Sequence, residues 1–159
     1  LDISSKGTNN IELQKKIFES IVNECAKVGN KIISIHSRKT DDIIFDFLKR
    51  SSCIYIMHWY TGNIKRLLNA MSSDDNIYVS INSDMVHSYN SRKLIEAVPL
   101  SRMVLETDAP FTAKTKNEYP KQILNDIVIE IAKIKKIERL QVLKTISDNS
   151  RKILSIQER

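Results

Sequence analysis

Four short runs rich in β-branched and apolar residues, Lys31–His36, Cys53–His58, Asn76–Ile81 and Met103–Glu106, are separated by stretches of helical period. This alternation constrains the fold more than any other feature of the chain. Strands joined through helices form right-handed βαβ units, and such units assemble into a parallel sheet. The sheet is either doubly wound or part of a (β/α)8 barrel, and the alternation alone does not choose. Nothing repeats in the manner of a solenoid.

Between residues 10 and 28, Leu13, Ile17, Ile21 and Cys25 recur at four-residue spacing beside Phe18 and Val22, which predicts an amphipathic helix stopped by Gly29. Thr40-Asp41-Asp42 reads as the cap and acidic first turn of a helix carrying Ile44, Phe47 and Leu48. Asn63 caps a helix through Ile64, Leu67, Leu68 and Met71, and Ser91 begins a short helix ended by Pro99. After a loop from Ala109 to Tyr119, helices are expected around Ile123–Ile134, Leu140–Ile146 and Arg151–Ile156, with no fifth strand.

With 159 residues, 42% hydrophobic and 28% charged, the chain has the composition of one globular domain, residues 1–159. Its apolar runs fall far short of the roughly 20 residues of a membrane span, so no membrane partner is expected. The chain opens on Leu1 without a secretory pattern, and this start reads as cut. Cys25 and Cys53 form no disulfide framework and read as buried free thiols of a reducing compartment, so a cytoplasmic location is expected. The net charge of +6 favours polyanions. Yet Lys15, Lys16, Lys49, Arg50, Lys65, Arg66, Lys135 and Lys136 are scattered, and a solvated helix face is the commoner use of such a pattern.

The chemistry-bearing residues stand at strand ends. His36, His58 and the pair Glu106/Asp108 close three different predicted strands, and parallel α/β folds gather catalytic groups at that face. Two imidazoles and a carboxylate suit a divalent ion such as zinc or manganese. Taken singly, each has an ordinary alternative: a hydrogen-bonded structural histidine, or an aspartate that forms a turn. Their coincidence at equivalent positions favours a site. Glu106 and Asp108 share the same pleat parity, so one carboxylate is available for a metal and the other for positioning its water. His87, in a predicted polar loop, reads as a surface residue. Trp59 and Tyr60 are compatible with stacking on a base and with packing against helices, the commoner use.

Ile35-His36-Ser37-Arg38, His58-Trp59-Tyr60-Thr61-Gly62 and Leu105-Glu106-Thr107-Asp108-Ala109-Pro110-Phe111 resemble three successive signatures of the TatD DNase family, in order and spacing. Leu1-Asp2 resembles the end of that family's Gly-Leu-Asp segment, and Asp148-Asn149 with Arg151 resembles its C-terminal Asn-containing helix. The wording of Met57–Gly62, Val79–Asn82 with Met85, and Glu106–Phe111 is similar to the TatD-type nuclease of the Qat antiphage system. The resemblance implies the C-terminal part of a TIM-type, amidohydrolase-like barrel that hydrolyses DNA phosphodiesters with Mg2+, Mn2+ or Zn2+. It makes His36, His58 and Asp108 metal ligands, with Asp108 also catalytic and Glu106 in support. Arg38 becomes a candidate phosphate contact, for which a structural salt bridge is the alternative.

The family's N-terminal His-x-His and its metal-binding Glu have no counterpart here, and a barrel of about 250 residues needs eight strands. The missing half is expected from further polypeptide, from other subunits of a defence complex, or from a second copy. Three functions follow: a metal-dependent deoxyribonuclease; a catalytically incomplete module that binds nucleic acid or assembles a defence complex; and hydrolysis of a small substrate on the same scaffold.

Overall fold

Asn10 accepts a hydrogen bond from the Leu13 amide at 2.9 Å and so starts helix α1, Ile11–Val28. Gly29, at φ 72°, ends it by donating to the Cys25 carbonyl. The pattern continues as β1 (Ile32–His36), α2 (Asp41–Phe47), β2 (Ile54–His58), α3 (Ile64–Ser73), β3 (Ile77–Ile81), α4 (Ser83–His87), α5 (Tyr89–Ala97), a 3-10 turn at Leu100–Arg102, β4 (Met103–Leu105), α6 (Pro120–Lys135) and α7 (Arg139–Leu154). The structure is a computed structural model that describes residues 1–3, 10–49, 51–109, 111 and 119–155. Arg50, Pro110, Ile156 and residues 112–118 of the expected loop lie outside that set.

The four strands run in chain order, β1-β2-β3-β4. The chain divides into two compact units, one holding Leu1–Tyr78 together with the chain from Ile153, the other holding Val79–Lys152.

In the first unit β1 and β2 pair in parallel, Ile32 opposite Ile54 and His36 opposite His58. The Tyr55 amide donates to the Asn76 carbonyl at 2.9 Å, attaching β2 to the residue that precedes β3. Leu1–Ile3 run beside the outgoing end of β1: Arg38 N donates to Leu1 O at 2.9 Å, and Ile3 N donates to Arg38 O at 3.2 Å. The core comprises Ile35, Ile44, Ile54, Tyr55, Met57, Tyr60 and Leu67, each at most 2% exposed. On α1, Val22 is buried and Phe18 meets Phe47 edge to face at 6.0 Å, whereas Leu13, Ile17 and Ile21 of the predicted apolar stripe are 52%, 52% and 51% exposed. Thr40 caps no helix amide with its side chain; its hydroxyl donates to the Leu1 carbonyl at 3.1 Å instead. Both cysteines are free, Cys53 buried with its thiol against the Cys25 carbonyl and Cys25 only partly buried.

In the second unit β3 and β4 pair in parallel, Val79 opposite Met103 and Ile81 opposite Leu105. Ile81, Met85, Leu94, Ile95, Ile127, Ile131 and Val142 form its core. Three expectations are corrected here. The helix expected from Ser91 is preceded by α4, because Asn82 caps the Met85 amide at 3.1 Å and opens a turn directly after β3. His87 is exposed as expected, but it ends that helix and is not in a loop. The two C-terminal helices are one, since nothing in Ser147–Ser150 breaks α7: Ser150 bonds back to the Ile146 carbonyl, and Asn149 Nδ2 donates to the carbonyls of Leu100 and Met103 at 2.9 and 2.8 Å.

Candidate metal centre and its supports

The pairing of β1 with β2 sets His36 and His58 side by side as the last residues of their strands. Their ring centroids are 6.2 Å apart and the rings are tilted by 43°. With metal–nitrogen bonds of about 2.0–2.1 Å, each ring centroid stands about 3.2 Å from a shared ion, so a tetrahedral angle puts two imidazole centroids roughly 5 Å apart. At 6.2 Å the pair is about 1 Å wider than that, so the two imidazoles are neighbours that share one ion only after closing by about that distance. Partial burial holds the His36 imidazole below the ordinary histidine range, with Asp2 opposing the shift and His58 and Arg38 adding to it. Neutral imidazole is the form that binds a metal.

Asp2 Oδ2 lies 3.8 Å from His36 Nε2. Gln14 holds the Asp2 backbone from both sides, accepting from its amide at 3.0 Å and donating to its carbonyl at 3.1 Å. A carboxylate behind an imidazole orients the ring and raises its basicity. Sequence reasoning matched Asp2 to a family segment and gave it no role, since only the fold brings it back to His36. Arg38 is exposed two residues beyond His36, its backbone bridged to Asp2.

After His58 the backbone takes a left-handed step at Trp59, φ 42°. Tyr60 is fully buried, its ring 6.0 Å from Phe45 and its hydroxyl donating to the Asn63 carbonyl at 3.1 Å. Packing is thus the role of Tyr60. Gly62 is required by space: an added Cβ falls 2.6 Å from Asp41 Cβ and 2.7 Å from the Tyr60 hydroxyl. Asp41 in turn accepts from the Asn63 amide at 2.8 Å, while Asn63 caps α3 through the Arg66 amide at 3.1 Å.

In the second unit the Glu106 carboxylate is held by β3. Ser80 donates to one oxygen and Asn82 Nδ2 to the other, the latter at 3.1 Å, while the Glu106 amide bonds to the Ile81 carbonyl at 3.0 Å. Ser80 and Asn82 are buried, and hydrogen bonds to a charged acceptor are among the stronger ones. A serine in the midst of the apolar Ile77–Ile81 run was the available signal for this clasp. Asp108 is partly exposed at φ 51°, and its carbonyl accepts from the Phe111 amide at 2.8 Å, closing a turn. Because β4 ends at Leu105, pleat alternation no longer fixes how Glu106 and Asp108 face one another. Among the described residues no group of three or more His, Cys, Asp or Glu side chains is gathered to hold a metal ion, and no helix is long and apolar enough to cross a membrane.

The chain is 32% identical over 144 residues to an uncharacterized metal-dependent hydrolase of Methanocaldococcus jannaschii, covering 89% of this chain and 55% of that protein. It is 26% identical over 104 residues to deoxyribonuclease Tat-D of Schizosaccharomyces pombe, covering 63% of this chain and 32% of the other. The chain thus spans about half or less of the curated relatives it matches. In fold it is similar to a crystal structure of a TatD homologue from Escherichia coli K12, with a TM-score of 0.79 at 16% identity, over 96% of this chain and 60% of that one. That likeness establishes the α/β fold of the TatD-like, amidohydrolase-type barrel. The family profile described as TatD related DNase matches residues 1–155, and the chain belongs to that family.

Proposed function

We propose that this chain supplies part of the active site of a metal-dependent nuclease that hydrolyses DNA phosphodiester bonds. The observation that carries the reading is the pair His36 and His58, set side by side by strand register at the outgoing ends of β1 and β2, with centroids 6.2 Å apart. In this reading the two imidazoles and Asp108 are metal ligands. The part given to Asp108 rests on its place in the Glu106–Phe111 signature. A bound Mg2+, Mn2+ or Zn2+ supplies a lowered pKa for its water and positive charge beside the phosphate.

This chain's own groups do the rest. Asp2 steadies the His36 ring, and Glu106, held by Ser80 and Asn82, fixes the exit of β4 that leads to Asp108. Asp108 orients the attacking water and accepts its proton. Arg38, exposed beside the histidines, contacts a phosphate oxygen. The remaining ligands come from a partner: further polypeptide, other subunits of a defence complex, or a second copy of the chain. A place in antiphage defence is part of the proposal, and the wording of Met57–Gly62 and Val79–Asn82 supports it.

The test is cleavage of single- and double-stranded DNA with added magnesium or manganese, against a chelator control and the Asp108→Ala variant. Chelator-sensitive cleavage that disappears in the variant is expected. DNA binding that is salt-sensitive but indifferent to chelator, without cleavage, would replace the enzyme reading with that of a binding module.

A further inference from the structure

We propose that Trp59 is a stacking platform for an unpaired nucleobase beside the scissile phosphodiester, an inference that rests on the nuclease reading above. Along β2 the side chains alternate, so Tyr55 and Met57 lie on one face, each with 0% exposure, and His58 belongs to the other. A strand continued by one more residue would add position 59 to the buried face. The chain does otherwise. Trp59 adopts φ 42°, a left-handed conformation disfavoured for a bulky side chain, and the alternation ends there. The buried place passes to Tyr60, at 0% exposure, while the indole stays partly open to solvent.

A large aromatic side chain gains most by burial, and a strained backbone persists where the surroundings impose it, commonly at binding sites. Here the surroundings do impose it. Residue 58 is fixed by strand pairing, and Tyr60 is fixed by Phe45 and by its hydrogen bond to Asn63. Gly62 has no room for a Cβ against Asp41 and Tyr60. Among the described residues the indole has neither a hydrogen-bond nor a ring partner.

The result is a preorganised, partly exposed aromatic surface next to His58, whose ring is 6.2 Å from that of His36. Nucleobases stack on such surfaces irrespective of sequence, because every base has a π-face. Within a duplex both faces of a base are covered by its neighbours. The ligand class is therefore single-stranded or end-frayed nucleic acid, with affinity raised about 5- to 150-fold by the stacked base.

Trp59 is the chain's one tryptophan, so its fluorescence reports this position alone. The experiment titrates the full chain, with chelator present to prevent cleavage, with a single-stranded oligonucleotide, an abasic strand of equal length, and a duplex. Labelled-strand anisotropy is measured in parallel on Trp59→Phe, Trp59→Ala and Trp59→Gly. The base-bearing strand is expected to quench the indole and bind at least about 5-fold tighter than the abasic one. Trp59→Phe should keep most of that preference. Trp59→Gly, which suits the left-handed backbone and so stays folded, should lose it as Trp59→Ala does. Equal quenching and affinity for base-bearing and abasic strands would overturn the stacking role alone, as would an unchanged preference in Trp59→Gly. Failure to bind any strand would overturn the nuclease reading and the stacking role with it.

Discussion

Replacing Asn82 by alanine is expected to cost more than a typical polar-to-alanine change, because one buried side chain serves two elements. Its Oδ1 accepts the Met85 amide that starts α4, and its Nδ2 donates to Glu106, both at 3.1 Å. Loss of a helix cap costs about 1 kcal/mol. Loss of a hydrogen bond to a charged acceptor costs about 1.5–3 kcal/mol. The two share a side chain and do not add fully, which gives a destabilisation of roughly 2–4 kcal/mol. At about 3 °C per kcal/mol for a chain of this size, Tm falls by roughly 6–12 °C. Urea unfolding followed by circular dichroism gives the free energy, and a thermal scan gives the shift. Asn82→Asp separates the two contributions: it keeps the cap acceptor but turns a carboxylate toward Glu106, so it should remain clearly destabilised although the cap survives. A loss below about 1 kcal/mol in Asn82→Ala, or an Asn82→Asp variant as stable as the parent, would refute the clasp.

Gly62→Ala should destabilise by roughly 1–3 kcal/mol in the same urea assay, because the new methyl meets Asp41 Cβ at 2.6 Å and the Tyr60 hydroxyl at 2.7 Å. Alkaline stability should depend on Tyr60, whose phenol is pushed above its ordinary value of 10.0 by burial first and then by Asp41, with Arg66 opposing. A raised folded-state pKa contributes stability that is whole below pH 10.0 and is lost as the pH climbs past it. Tyr60→Phe should therefore lose about 1 kcal/mol at neutral pH and then decline less steeply above pH 10.0 in a pH series of urea melts. Tyr55, raised in the same direction by burial, leaves some alkaline dependence in that variant. His36→Ala and His58→Ala should each weaken manganese binding, measured calorimetrically, by at least the roughly 10- to 100-fold that loss of an outer hydrogen-bond partner costs. Asp2→Ala, which removes a carboxylate 3.8 Å from the His36 imidazole and beyond hydrogen-bond distance, should weaken it by less than that.

The elements that bury a continuous apolar run were legible in the sequence. The strands and the helices α1, α3 and α6 follow from periodicity and, for α3, from the cap Asn63. What escaped depends on long-range hydrogen bonds that local pattern does not encode. The polar stretch Ser147–Ser150 reads as a break, yet Asn149 spends its amide on carbonyls 49 and 46 residues earlier and the helix runs through. Asn82, one residue beyond the strand expected at Asn76–Ile81, is given no role by the sequence, yet it caps a helix and holds Glu106. At the site, His36 and His58 were visible as strand-end residues, and their facing follows from register. Asp2, separated from His36 by 34 positions in the sequence, carried no signal that it would lie 3.8 Å from the imidazole.

The register of β1 against β2 also determines which kinds of change this site tolerates. The spacing of the two imidazoles derives from backbone ladder bonds, and those are indifferent to which apolar residues fill Ile32–Ile35 and Ile54–Met57. Point substitutions in the two strands can therefore accumulate while the histidines stay level. Insertion or deletion of a single residue in either strand is different in kind: it turns one imidazole to the opposite face of the sheet. Length variation among relatives should accordingly fall in the connections around α2, where added residues leave the ladder undisturbed.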